Sequence, residues 1–199
     1  MYREKRVILL ILLSLAVLGC ETIHESGIDT FEGQTIFNRV GFRTDGENNI
    51  YHANRFSGGI FIPAGTECTI KQITYTTIKF TANEDEYVLT EWRIGYGPVY
   101  TRTSFYKFFV EDMEAIGLDR INLDFRESIV SGIAEVGMTK HEVFLSLGYP
   151  AYVDKNDPTT DKSRASILSR DDWYYLKSKG EKVLLRFEDP ILAQITEQK

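Results

Sequence analysis

Residues 136–150, VGMTKHEVFLSLGYP, specify one short helix and its exit with a signal at each boundary position. Thr139 is a good N-cap and Glu142 lies three residues on, the spacing of a capping box in which hydroxyl and carboxylate each satisfy a free backbone N–H. Met138, just outside, can pack on Val143. Val143, Phe144 and Leu147 form the buried side. Gly148 takes the left-handed position after the last turn, and Pro150 prevents continuation. The whole chain must therefore accommodate a helix of fixed length with an abrupt exit. No catalytic group stands in the stretch, so it reads as architecture.

Ahead of it, from about Phe37 to Arg93, the pattern is β. IYHANRF (50–56) ends at Gly58-Gly59. IFIPAGTECTI (60–70) breaks at Pro63-Ala64-Gly65, a turn by residue chemistry. In TIKFT, Ile78 and Phe80 alternate with Lys79 and Thr81, the period of a half-buried strand. EYVLTEWRI places Val88, Trp92 and Ile94 on one side, with a turn at ANEDE before it. Short strands at this spacing predict a small barrel or sandwich. The element IPAGTECTIKQI resembles one found in bacterial Src-homology-type small barrels. GYGPVY (95–100) reads as the connection between the two halves of the chain. Ser104 can then cap a helix in which Phe105, Phe108, Phe109, Met113 and Ile116 form an apolar stripe, ended by Gly117. Such a stripe is read as core rather than as a ligand box.

After the capped helix comes a polar loop. Its DKNDPTTD would need glycine at the sixth position to hold calcium in an EF-type loop, but Pro158 and Thr159 occupy the fifth and sixth. A solvated loop is expected. Three strands close the chain: Trp173–Leu176, Val183–Phe187 and Ile191–Ile195, with turns at 177–182 and at Glu188-Asp189-Pro190. Two helices followed by a three-stranded antiparallel meander make a two-layer α+β unit. Alternation puts Trp173 and Tyr175 on one face and Tyr174 on the other. Two helices cover one face only, so a large aromatic is expected at the open face. Tyr149, Trp173, Tyr174 and Tyr175 are the expected partner-binding residues, since Tyr and Trp anchor protein interfaces.

The start of the chain bears on location. MYREKR carries Arg3, Lys5 and Arg6, and Val7–Leu18 is an apolar run of 12 residues broken only by Ser14. That is the anatomy of a secretory signal, and it is short of the roughly 20 residues a membrane span needs. AVLGC comes next, and it resembles the lipobox of bacterial lipoproteins. The resemblance implies cleavage before Cys20 and acylation of its thiol, palmitate being one such chain. Two acyl chains suffice for stable anchoring. By resemblance to known sorting rules, Glu21 favours the outer membrane, with the protein facing the periplasm. Residues 20–34 are then a lipidated tether. As a coil its 14 residues after the cysteine span roughly 20 Å, and about 50 Å at full stretch.

The net charge of −6 becomes −8 once residues 1–19, with three cations and one anion, are removed. An acidic chain argues against nucleic acid as a partner. Beyond Cys20 only Cys68 remains. It can form no internal disulfide and reads as a small buried hydrophobe. His24, His52 and His141 share no metal-ligand spacing. G-x-S-x-G and phosphate-cradling glycine loops do not occur. Acidic pairs such as Glu111-Asp112 and Asp171-Asp172 read as solvated or capping. A non-enzymatic protein with no metal and no cofactor is expected.

The pattern Gly137-Met138-Thr139, Val143, Leu147-Gly148, Pro150, Trp173, Tyr175 and Phe187 resembles the SmpA/OmlA outer-membrane lipoprotein domain. That family includes the small E subunit of the β-barrel assembly machine. The likeness covers roughly residues 128–196. Two departures stand out: about 90 β-rich residues precede the domain, and Pro190-Ile191 replaces the usual Gly-Lys turn. The expected organisation is a signal peptide (1–19), a tether (20–34), a small β-barrel-like domain (35–98) and an α+β domain (99–199, core 128–196). With the capping carboxylate Glu142, the residues Gly137, Met138, Thr139, Gly148 and Pro150 are expected to be structural. The resemblance implies a role in binding and stabilising an envelope partner, in outer-membrane β-barrel assembly. The alternative is a peptidoglycan-binding module that ties the wall to the membrane.

Overall fold

The computed structural model describes residues 31–51, 56–74, 77–90, 105–155, 157–159, 162–177 and 181–198. Cys20, His24, His52, Trp92, Ile94 and the 95–100 connection lie outside them. The architecture is mixed and broadly α+β, mostly strands, with a curled half-barrel sheet and few helices.

The first sheet contains β1 (Thr35–Asn38), β3 (Asn49–Tyr51), β5 (Glu67–Ile73), β6 (Thr77–Ala82), β7 (Asp85–Thr90) and β8 (Phe109–Val110), in the order β3-β7-β6-β5-β1-β8. β2 (Phe42–Arg43) and β4 (Phe61–Ile62) form a separate pair. Alternation drives β6: Ile78, Phe80 and Ala82 point into the core. Asn83 and Glu84 both take positive φ and join β6 to β7 as a tight two-residue turn. The register of β5 on β6 slips between Ile70 and Gln72. An extra residue there bends the strand and raises its twist, which curls the sheet. In β7 the buried residues are Tyr87 and Leu89, so the inward face is the opposite of the one expected from Val88.

The second sheet is antiparallel throughout, in the order β10-β9-β11-β12-β13. It contains β9 (Tyr152–Val153), β10 (Asp157–Pro158), β11 (Asp172–Leu176), β12 (Lys182–Glu188) and β13 (Ile191–Gln198). The expected meander is its β11-β12-β13 half. The expected solvated loop supplies the other two strands, and Thr159 within it is buried and donates to the Pro150 carbonyl. The helices are α1 (Arg126–Val130), α2 (Lys140–Leu147) and α3 (Arg164–Leu168).

Three expectations need correction. The helix over 105–116 is not formed: residues 105–108 are helical, Phe109–Val110 pair with β1, and Met113–Ile116 make a 3-10 turn. Strand pairing with Phe37 and Asn38 captures the middle of the stretch. The core reading of its stripe holds for Phe105, Phe108, Phe109 and Ile116, while Met113 is exposed. Second, β8 lies beyond residue 98 yet completes the first sheet, so the structure crosses the expected boundary. Third, the end of the expected tether belongs to the fold. Phe31 is buried and stacks on Phe105 at 4.6 Å, and Gly33 donates to Ile70 at 2.8 Å.

One hydrophobic cluster runs through both sheets. Rings link them stepwise: Phe80 to Phe42 (5.9 Å), Phe42 to Phe108 (5.9 Å), Phe108 to Tyr149 (5.4 Å) and Tyr149 to Phe144 (4.9 Å). Phe144 then meets Trp173, and Trp173 meets Phe187, each at 4.7 Å. α2 sits between the layers and is buried on nearly every side. That agrees with a helix enclosed by core rather than lying on a surface.

Candidate functional site

The capping box of α2 is formed, and its carboxylate does more than cap. Glu142 accepts from the Thr139 N–H at 2.7 Å, the Thr139 hydroxyl at 2.9 Å and, across a gap of twenty residues, the Asn122 N–H at 2.6 Å. It thereby fixes the irregular 118–125 segment against the helix start. Gly137 has φ 102° and its N–H donates to Leu192 at 2.8 Å. Met138 and Pro150 are buried. Gly148 has φ 73° but ψ −153°, positive φ without the left-handed helical ψ. The chain leaves α2 extended, in a region open mainly to glycine.

The four expected interface aromatics are not free. Tyr149, Trp173 and Tyr175 lie in the core, and Tyr174 is only 4% exposed. Trp173 donates its indole N–H to Arg170 and Ile167 at 3.0 and 3.2 Å. The expectation that Tyr174 marks an open aromatic face is therefore corrected. β9 extends the sheet beside it, with Tyr152 paired opposite.

Polar groups around α2 are tied to architecture. Lys140 is buried, and its ammonium meets Leu168 O at 3.0 Å and Asp171 and Asp189 at 2.9 Å each. One cation thus joins α2, the end of α3, the residue that leads into β11 and the turn between β12 and β13. Asp172 takes Arg186 at 2.8 Å, and Asp112 caps the 113–116 turn. Of the carboxylates expected to be solvated or capping, Asp171 and Asp172 are thus ion-paired. The Arg164 guanidinium donates to His141 Nδ1 at 2.9 Å and lies 5.1 Å from the Phe144 ring centre. An Nδ1 that accepts leaves the proton on Nε2, which faces the Gly117 carbonyl at 3.4 Å. Burial, then Arg164, pulls the His141 pKa down. Cys68 is fully buried, and burial pushes its thiol up to about 12. It is no nucleophile at neutral pH. Among the described residues no group of three or more His, Cys, Asp and Glu could hold a metal ion, and no helix is long and apolar enough to cross a membrane.

The surface feature that the core does not explain lies on residues 111–136. Of the eight large apolar side chains exposed among the described residues, five fall between Met113 and Val136. Leu123 is 75% exposed and Val130 51%. Both line an open cleft of about 300 Å³. Buried Ile129 also lines it, as do Pro63 and Ala64 of the β4–β5 turn. Arg126 and Asp119 are its charged lining groups. The 118–125 segment is built from short 3-10 turns, the second capped by Asn122, in which Leu118, Ile121 and Phe125 pack against the core and Leu123 is left outside. A patch of this kind marks a contact surface. Neither periodicity nor motif points to it. The available signal is the set of apolar residues in 118–136, too irregular in spacing for a helix or a strand.

No family model, curated protein or solved structure matches this chain. The cleft must therefore be judged on its chemistry. It offers aliphatic walls and little polar grouping to orient a small substrate.

Proposed function

We propose that this chain is a lipid-anchored outer-membrane protein of the bacterial envelope. In this reading it holds a partner protein and takes part in assembly of outer-membrane β-barrel proteins. Acylated Cys20 supplies the anchor. A small β-barrel-like unit is followed by an α+β unit of helices on a meander, as in the SmpA/OmlA domain. The observation that carries the binding role is the cleft lined by Leu123 and Val130, aliphatic side chains left in water at the edge of the core. The tyrosines and tryptophan expected at the interface serve packing instead. The α2 region then acts as the rigid support of the cleft, through Glu142 and Asn122.

Two experiments test this. Cys20→Ser should abolish labelling by a fatty-acid analogue and leave unprocessed precursor. Labelling that persists unchanged overturns the anchor. A deletion strain should hold fewer folded β-barrel proteins in its outer membrane, read by quantitative proteomics, and should admit large antibiotics more readily. Normal barrel levels, with murein fragments as the only crosslinked species, would replace this reading with the peptidoglycan one.

A further inference from the structure

We infer that the occupant of the 111–136 face is a protein segment with aliphatic side chains set among lysines and arginines. The inference rests on the docking role proposed above and names the chemistry of the partner. Three observations lead to it.

The cleft is small and mostly apolar, and the chain that follows its last lining residue, Val130, carries further exposed apolar side chains. Ile133 and Val136 are not among the lining residues, and each is more than half exposed. A small molecule seated between Pro63 and Val130 would leave both in water, so a longer ligand fits the surface better. The cleft would receive side chains while the partner's backbone runs along the face.

Charge then selects among longer ligands. Residues 111–136 carry seven carboxylates, all exposed, against two guanidiniums, Arg120 and Arg126. Among these nine groups the structure shows one ion pair, Asp119 with its neighbour Arg120 at 4.0 Å. Asp112 and Glu135 accept from Glu114 N–H and the Ser128 hydroxyl. Exposed charge on the segment is therefore predominantly negative, with Arg126 in the cleft lining and Arg43 at the Gly132 carbonyl as cations beside it, and complementary potentials steer the right partner in while like charge rejects the wrong one. An anionic lipid surface is rejected on this ground. A second copy of this acidic chain, presenting the same face, is rejected too.

Rigidity supports docking without large rearrangement. The segment has little regular structure, yet it is pinned. Glu142 holds Asn122 at 2.6 Å, the Gly132 carbonyl accepts from Arg43 at 2.7 Å, and Phe125 packs toward Gly137. A preformed cleft avoids part of the ordering cost of binding.

The test uses synthetic amphipathic peptides of Leu and Lys at helical spacing, with one photo-reactive leucine. The comparison peptide replaces Lys by Glu. Each is irradiated with the full lipidated chain in nanodiscs of zwitterionic lipid, and adducts are mapped by digestion. The Leu/Lys peptide should crosslink within 118–136. The yield should fall at least tenfold in a Leu123→Ser, Val130→Ser double variant, whose charge is unchanged and whose substituted side chains are already exposed. Adducts scattered over the surface, or a yield indifferent to the serines, would reduce the effect to bulk charge attraction and overturn the inference. Adducts of the Leu/Glu peptide at 118–136 in place of the Leu/Lys peptide would overturn the basic character of the partner and leave the docking face standing. No adduct there with either peptide would overturn both.

Discussion

Tyr175 donates its phenol hydrogen to the Gly148 carbonyl at 2.8 Å, both groups buried. This one bond ties the middle of the second sheet to the exit of α2. Burial pushes the Tyr175 phenol well above its ordinary range, so the donor stays protonated. Tyr175→Phe keeps the ring and removes the donor, leaving a buried carbonyl without this partner. A loss of about 1–3 kcal/mol is expected, read by urea unfolding of the purified chain. An unchanged midpoint would mean that water replaces the phenol there.

The exit itself should be more sensitive than the entrance. Gly148→Val forces a β-branched residue to φ 73°, ψ −153°, at a cost of roughly 1–3 kcal/mol or more. Thr139→Ala removes a cap worth about 1 kcal/mol. Glu142→Ala should cost more than Thr139→Ala, because it strands the Asn122 N–H as well. The order of melting temperatures is the readout. Equal values for Thr139→Ala and Glu142→Ala would show that the link to Asn122 is weak.

The His141–Arg164 contact predicts a pH response. The folded pKa of His141 lies below 6.5, first through burial and then through Arg164. Above 6.5 the ring is neutral in both folded and unfolded chains. As pH falls below 6.5 the unfolded chain takes the proton first, so stability falls until the folded pKa is passed. Arg164→Gln removes the second cause and should move the His141 titration upward, measured by NMR. A titration that stays put would mean that burial alone sets it.

Trp173→Ala should unfold or severely weaken the protein, at about 3–5 kcal/mol, since Trp173 bridges Phe144 and Phe187 and donates to two carbonyls. Tyr174→Ala should cost less, because Tyr174 lies on the other face of the sheet, outside the main cluster. Both effects are structural. Circular dichroism melts of the two variants give the comparison, and a larger loss for Tyr174→Ala would invert the assignment of faces.

The parts of the fold legible in the sequence are those fixed by neighbours in the chain. α2 is readable because its capping box and its exit at Gly148 both lie within fifteen residues. The strands β6 and β12 are readable because alternation places Ile78 and Phe80, and Val183, Leu185 and Phe187, on one side. Long-range partners decide the rest. The 105–116 stripe has helical spacing, but β1 offers Phe109–Val110 a strand edge, and tertiary pairing overrides local preference. Val88 and Tyr87 can each serve as an inward residue, and the parallel pairing of β7 with β3 accompanies the choice of Tyr87 and Leu89. Alternation puts Tyr174 on the correct side of its strand, but the extension of the sheet by Tyr152–Val153 is invisible in a polar loop. The cleft escapes a reading of the sequence because it joins turns at 63–64 and 118–123 to one five-residue helix, too short for a period to announce which side chains remain outside.

The most direct test places a photo-reactive amino acid at position 123 of the full chain in living cells. The central claim is that Leu123 and Val130 form the contact with a protein partner. Irradiation should give a protein adduct whose crosslinked peptide carries aliphatic side chains among lysines or arginines, and Val130→Asp in the same chain should abolish it. The account is contradicted if position 123 yields only lipid or murein adducts, or if a protein adduct persists undiminished with Val130→Asp.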